Sequence, residues 1–107
     1  MDSFNTQQPI MVTMDRSSEP NLIISYTSIN PAVLSVVAIK AVRAKARMLS
    51  GQTLTFHLPQ GEHVIVIKIG RINYKKKIII PPNNQPVRIN SAYTGRGQIH
   101  IDQPNWK

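Results

Sequence analysis

From Leu54 to Ile80 the chain reads L-T-F-H-L-P-Q-G-E-H-V-I-V-I-K-I-G-R-I-N-Y-K-K-K-I-I-I. Leu54, Phe56 and Leu58 alternate with Thr53, Thr55 and His57. Side chains alternate across a strand, so this run has one apolar and one polar face. Pro59-Gln60-Gly61 interrupts it: proline removes a ladder donor and presets φ, and glycine admits positive φ. His63 to Ile69 then resumes with Val64, Ile65, Val66, Ile67 and Ile69. These β-branched residues favour sheet, in a run short for a buried helix. Gly70 breaks the run, and Lys75 to Ile80 forms another, ended by Pro81-Pro82. The pattern predicts a three-stranded antiparallel meander. Val64 to Ile67 lacks alternation, which suits a central strand covered on both faces. Ile78-Ile79-Ile80 is an aggregation hazard at a sheet edge, with Lys75–Lys77 before it and the prolines after it as gatekeepers.

The rest of the chain carries similar, weaker signals. Ile10 to Met14, Leu22 to Tyr26, Val87 to Ala92 and Gln98 to Asp102 are strand candidates. Ser17 to Asn21, Thr27 to Pro31, Asn83-Asn84 and Thr94 to Gly97 separate them as loops and turns. Asn30 to Gly51 admits two conformations. As a helix it has Asn30 as N-cap, Pro31 at the first turn and Gly51 as the stop. As strands it has strict alternation: Ala41, Arg43, Lys45 and Arg47 on one parity, Val42, Ala44, Ala46 and Met48 on the other. The regular alternation favours sheet, although no Gly or Asn marks a hairpin turn near Lys40.

Composition narrows the chemistry. The 107 residues form one domain by size, able to bury roughly two thirds of the unfolded surface. No cysteine is present, which excludes disulfides, thiolate nucleophiles and sulfur-ligated zinc. The net charge is +8, and residues 40–77 hold nine basic groups against Glu62 alone. Such a concentration attracts polyanions without choosing among them. The first nine residues lack a basic-then-apolar leader pattern, and no apolar run reaches the roughly 20 residues that span a bilayer. Both features favour a cytoplasmic setting.

Three histidines invite a metal: His57 and His63 flank the Pro59–Gly61 turn, and His100 is a conceivable third ligand. The simpler assignment keeps His57 on the threonine face, His100 outward between two isoleucines, and His63 bonded to the turn backbone. The five acidic residues are scattered, His100 and Asp102 share a strand face only as an exposed pair, and no serine sits in a nucleophile elbow. Gly95-Arg96-Gly97 is a hairpin turn before it is a phosphate loop. No catalytic residue, metal ligand or cofactor is therefore assigned. The candidate polyanion-binding residues are Arg43, Lys45, Arg47, Arg71, Lys75, Lys76 and Lys77. Tyr74, Tyr93 and Trp106 are the aromatics that nucleic-acid stacking would draw on.

The run G-Q-T-L-T-F-H-L-P-Q-G-E-H-V-I-V-I-K, Gly51 to Lys68, resembles a motif of small bacterial β-sandwich domains of the PEGA and carboxypeptidase-regulatory-like type. There a glycine starts an alternating strand, a Leu-Pro-x-Gly turn follows, and Gly-x-His opens an aliphatic strand. Gly51, Leu54, Phe56, Leu58, Pro59, Gly61, His63, Val64, Val66 and Lys68 carry the likeness. The Asp-Gly hairpin turn and the Pro-Glu-Gly-Ala signature of that type are absent. The resemblance implies a β-sandwich with a strand or hairpin before Gly51, and an accessory binding or structural module rather than an enzyme.

The expected fold is thus all-β: a small antiparallel β-sandwich, Ig- or prealbumin-like, of about seven strands. The alternative is α+β with one helix at about 31–50. Residues 1–8 are expected to be disordered, 9–103 to form the domain and 104–107 to be a tail. The expected role is a non-catalytic module whose basic face docks on an acidic protein, a cell-surface polymer or an anionic membrane surface. A small nucleic-acid-binding barrel and an oligomerising structural domain are the alternatives, and a small-molecule substrate is not indicated.

Overall fold

The computed structural model describes residues 19–104. Eight strands lie within them: β1 (Leu22–Ser28), β2 (Ser35–Ile39), β3 (Ala44–Met48), β4 (Thr53–Phe56), β5 (Gly61–Ile69), β6 (Ile72–Ile80), β7 (Val87–Tyr93) and β8 (Gly97–Asp102). They form two four-stranded sheets, in the orders β4-β1-β7-β8 and β3-β2-β5-β6. The fold is a β-sandwich. The strand candidate at Ile10–Met14, the disordered segment expected at 1–8 and Trp106 lie outside the described residues.

Period-two alternation builds the core. Leu22, Ile24 and Tyr26 of β1, Val37 and Ile39 of β2, Ile65, Ile67 and Ile69 of β5, Ile78 and Ile80 of β6, and Val87 and Ile89 of β7 all point between the sheets and are buried. Burying each such side chain contributes roughly 1.5–3 kcal/mol. Gly70, at φ 61°, takes the first position of a two-residue turn that joins Ile69 to Ile72. Only a residue tolerant of positive φ closes so tight a hairpin.

Segment 31–50 is strand, not helix. β2 and β3 pair antiparallel from Ser35↔Met48 to Ile39↔Ala44. The turn needs neither Gly nor Asn because a short 3₁₀ turn, Lys40–Val42, closes through the Arg43 N–H donating to the Lys40 carbonyl at 3.1 Å, with Arg43 left-handed at φ 51°.

The expected meander is corrected. β5 and β6 are a hairpin, but β4 pairs with β1 in the opposite sheet, from Leu22↔Phe56 to Ser25↔Thr53. Pro59-Gln60 is therefore part of a crossing between sheets, which must cover the roughly 10 Å that separates packed layers. Leu58, buried in that crossing, has no strand partner among the described residues, and Asn21 stands in for one. The Leu58 N–H donates to Asn21 Oδ1 (2.8 Å), and Asn21 Nδ2 donates to the Leu58 carbonyl (2.7 Å) and to Asn84 Oδ1 (2.8 Å). The sandwich is also not purely antiparallel: β1 and β7 run parallel, from Leu22↔Val87 to Ser28↔Tyr93. Ser91 Oγ of β7 donates to the Ser25 carbonyl at 2.7 Å, so that buried hydroxyl is satisfied.

Ser35 is the opposite case. It is fully buried and its Oγ has no hydrogen-bond partner among the described residues. A buried, unpaired hydroxyl costs about 1–3 kcal/mol, and alanine removes it at nearly constant shape. Ser35→Ala is expected to stabilise the fold by about 1 kcal/mol, raising Tm by about 5 °C in thermal unfolding. A destabilised variant would show that the hydroxyl is bonded in solution.

Among the described residues β6 is an edge strand of its sheet, so the Ile78–Ile80 hazard is real in position. Ile78 and Ile80 are buried, while Ile79 is exposed. The Gln103 side-chain amide blocks the edge there: Ile79 N–H donates to Gln103 Oε1 at 3.1 Å, and Gln103 Nε2 donates to the Ile79 carbonyl at 2.6 Å. One side chain thus satisfies both backbone groups that an incoming strand would use. Gln103→Ala is expected to produce concentration-dependent self-association, read by light scattering. An unchanged monomer–oligomer distribution would show that the lysines guard this edge unaided.

Candidate basic face

Register fixes which cations share a surface. Across the sheet β3-β2-β5-β6, one row of neighbours is Lys45–Ala38–Val66–Lys75, the next is Arg47–Val36–Lys68–Asn73, and Val64 lies opposite Lys77. These residues have the parity opposite to the buried Val37, Ile65 and Ile67, so they line the outer face. Lys45, Arg47, Lys68, Lys75 and Lys77 are exposed on it. The one acid there among the described residues is Glu62, whose Oε2 lies 3.4 Å from Lys77 Nζ with both side chains about 60% exposed. So exposed a pair contributes at most about 1 kcal/mol.

Strands lie about 4.8 Å apart, and alternate residues along a strand about 7 Å apart. Lys45 and Arg47 on edge strand β3, and Lys75 and Lys77 on edge strand β6, therefore form two cationic rims roughly 14 Å apart. Between them runs an aliphatic strip on the two central strands: Val36 and Ala38 of β2, Val64 and Val66 of β5, all half-buried. A shallow depression lined by Val36, Lys45, Ala46 and Arg47 opens along the β3 side. The near-continuous Val64–Ile67 run predicted cover on both faces of its strand. Only the inner face has a covering sheet among the described residues.

Of the seven residues singled out in the sequence, four share this face: Lys45, Arg47, Lys75 and Lys77. Lys76 does not. It has the parity of Ile78 and Ile80, pairs with Ile65, and is half-buried toward the opposite sheet. A run of three lysines cannot stay on one side of a strand. Arg43 is not on the β3 face either, because it caps the 3₁₀ turn. Arg71 lies in the β5–β6 turn, beside the Ser35↔Ile69 end of the sheet, whereas Arg43 lies beyond the Ile39↔Ala44 end. Lys68 was missed. Its signal was available, since Val64, Val66 and Lys68 are spaced by two in one strand.

The other outer face is different in kind. Thr53, Thr55, Ser25, Thr27, Asn90, Gln98 and His100 give it hydroxyls, amides and an imidazole, and Arg88 lies opposite Asp102. Ser25, Thr27, Asn90, Ala92, Gln98 and His100 line an open hollow there, in which Ser25 Oγ already donates to Asn90 Oδ1 at 2.7 Å. The histidines do not converge. His57 Nδ1 is 2.7 Å from the Glu19 carbonyl, and His63 Nε2 is 2.7 Å from the Pro59 carbonyl, the turn contact expected from sequence. His100 is exposed on β8. Among the described residues no group of three or more His, Asp or Glu side chains is gathered for a metal, and no helix is long and apolar enough to cross a membrane.

Among the described residues no aromatic ring lies on the basic face. Tyr74 has the inward parity and packs against the start of β8, where a Cβ built on Gly97 would fall 2.9 Å from its ring carbons. Tyr26 is fully buried, and Phe56 and Tyr93 pack on the core. The chain matches no family model, no curated protein and no solved structure.

Proposed function

We propose that this protein is a non-catalytic docking module whose outer β3-β2-β5-β6 face binds an acidic macromolecule. One observation carries the proposal: strand register gathers Lys45, Arg47, Lys68, Lys75 and Lys77 on one surface against a single carboxylate among the described residues. The opposite surface carries mainly neutral polar groups and the Arg88/Asp102 pair. This asymmetry gives the molecule a directed positive field that steers and orients an anionic partner. The resemblance of Gly51–Lys68 to accessory β-sandwich modules agrees with binding rather than catalysis.

Poly-L-glutamate is a suitable probe, because it offers carboxylates without bases or lipid. Binding is expected at 0.1 M salt and to weaken at least tenfold at 1 M, where the screening length falls from about 10 Å to about 3 Å. Binding that survives 1 M salt unchanged, or no binding at 0.1 M, would refute the proposal.

A further inference from the structure

We infer that the partner of the basic face is an acidic amphipathic helix of another protein, its apolar stripe seated on the Val36/Ala38/Val64/Val66 strip and its carboxylates reaching the two rims. This inference rests on the docking role above and names the class of ligand.

The aliphatic strip is the part of the face that charge does not explain. A merely solubilising surface would place polar residues at these alternate positions, and an antiparallel sheet with one solvated face normally does. Here Ala38 lies opposite Val66, with Val36 the next outward residue of β2 and Val64 the next outward residue of β5, so the four form a diagonal strip across the β2–β5 pair, and Lys68, opposite Val36, occupies one corner of it. A polyanion without apolar groups would use the cations and leave the strip wet. Single-stranded nucleic acid would stack its bases on exposed rings, and this face has none among the described residues. A bilayer would need apolar groups that protrude past the charged heads. The valines and Ala38 are shorter than the flanking Lys and Arg side chains, so they are recessed below the rims.

A helix satisfies both features. Its diameter with side chains is about 10–12 Å, which fits between rims roughly 14 Å apart. An apolar stripe at i, i+3, i+4 and i+7 is about as wide as two strands, and Glu side chains on its flanks extend outward to Lys45 and Arg47 on one side and Lys75 and Lys77 on the other. Charge complementarity sets the flank chemistry, and the recessed strip sets the stripe.

The test uses the full chain, a helix-forming peptide of about 18 residues with a Leu stripe flanked by Glu, and a scrambled peptide of the same composition, read by fluorescence anisotropy at 0.1 M salt. The patterned peptide is expected to bind at least tenfold tighter than the scramble. Val36→Thr/Val64→Thr/Val66→Thr is expected to abolish that preference while leaving poly-L-glutamate binding unchanged. Threonine keeps the β-branched shape, so the sheet is retained, as circular dichroism would confirm. Equal binding of the two peptides, or an unaffected threonine variant, would overturn the helix assignment while salt-dependent poly-L-glutamate binding left the docking role standing. Displacement of the peptide by equimolar single-stranded DNA or by phosphatidylserine vesicles would also overturn it. Failure of poly-L-glutamate itself to bind would remove the docking role and this inference together.

Discussion

Asn21→Ala is expected to destabilise the protein by about 3 kcal/mol, the sum of orphaning two buried backbone groups at roughly 1–3 kcal/mol each. The Leu58 N–H and carbonyl both depend on the Asn21 amide, and Leu58 is buried between the sheets with no strand beside it among the described residues. Alanine leaves neither group a partner and opens a small void. The tie to Asn84 Oδ1, which holds the loop between β6 and β7, is lost as well. A domain of this size has about 5–15 kcal/mol of total stability, so the loss is a large fraction of it. Tm should fall by on the order of 15–20 °C. Asn84→Ala is the graded comparison, removing one bond of the three and costing about 1 kcal/mol. Asn21→Asp should be as harmful as alanine, because it discards both donors and sets a carboxylate oxygen against the Leu58 carbonyl. Urea denaturation of the three variants checks the order. A loss below 1 kcal/mol for Asn21→Ala would mean that the crossing between sheets is held by something else.

Lys75→Gln/Lys77→Gln is expected to weaken poly-L-glutamate binding by tenfold or more, while Lys76→Gln changes it less than twofold. Each exposed charge contact contributes up to about 1 kcal/mol, so two together reach up to about 2 kcal/mol, which exceeds the roughly 1.4 kcal/mol that corresponds to a factor of ten. Loss of Lys77 does further harm, because it frees Glu62, 3.4 Å away, to repel an acidic ligand. Lys76 is spared because its side chain leaves the strand on the Ile78/Ile80 side. Competition titrations at 0.1 M salt measure all of these. If the three lysines proved interchangeable, binding would depend on net charge and not on a face. The same experiment separates turn from sheet: Arg43 and Arg71 lie in turns at opposite ends of the sheet, so removing either should matter less than removing Lys75.

The candidate site was partly legible before the fold. The concentration of cations between residues 40 and 77 is plain in the sequence, and the alternation of Lys45 and Arg47 with Ala44 and Ala46 identifies their common side. Applied strictly, the same rule excludes Lys76 and includes Lys68. Lys75–Lys77 cannot act as one block, because alternation along the strand sends Lys76 to the side of Ile78 and Ile80. Arg43 fits the alternation arithmetically, but the strand begins one residue later, at Ala44. A turn closed by a left-handed arginine has no local marker, since Gly or Asn is the usual occupant of that conformation.

What the sequence determined by itself is local: which segments are extended, which side of each is apolar, and that Gly70 closes a hairpin. Those properties depend on residues one or two positions apart, and β-branched side chains at alternate positions leave little else available. The tertiary structure decided the partners. β4 lies against β1, and β1 runs parallel to β7, because pairing is a competition among all strands of similar pattern, settled by how well two sheets close over a shared core. Asn21 shows the difference most clearly. In the sequence it is a polar residue at the end of a loop, and only once Leu58 is brought beside it, 37 positions along the chain, does its amide acquire two backbone groups to satisfy.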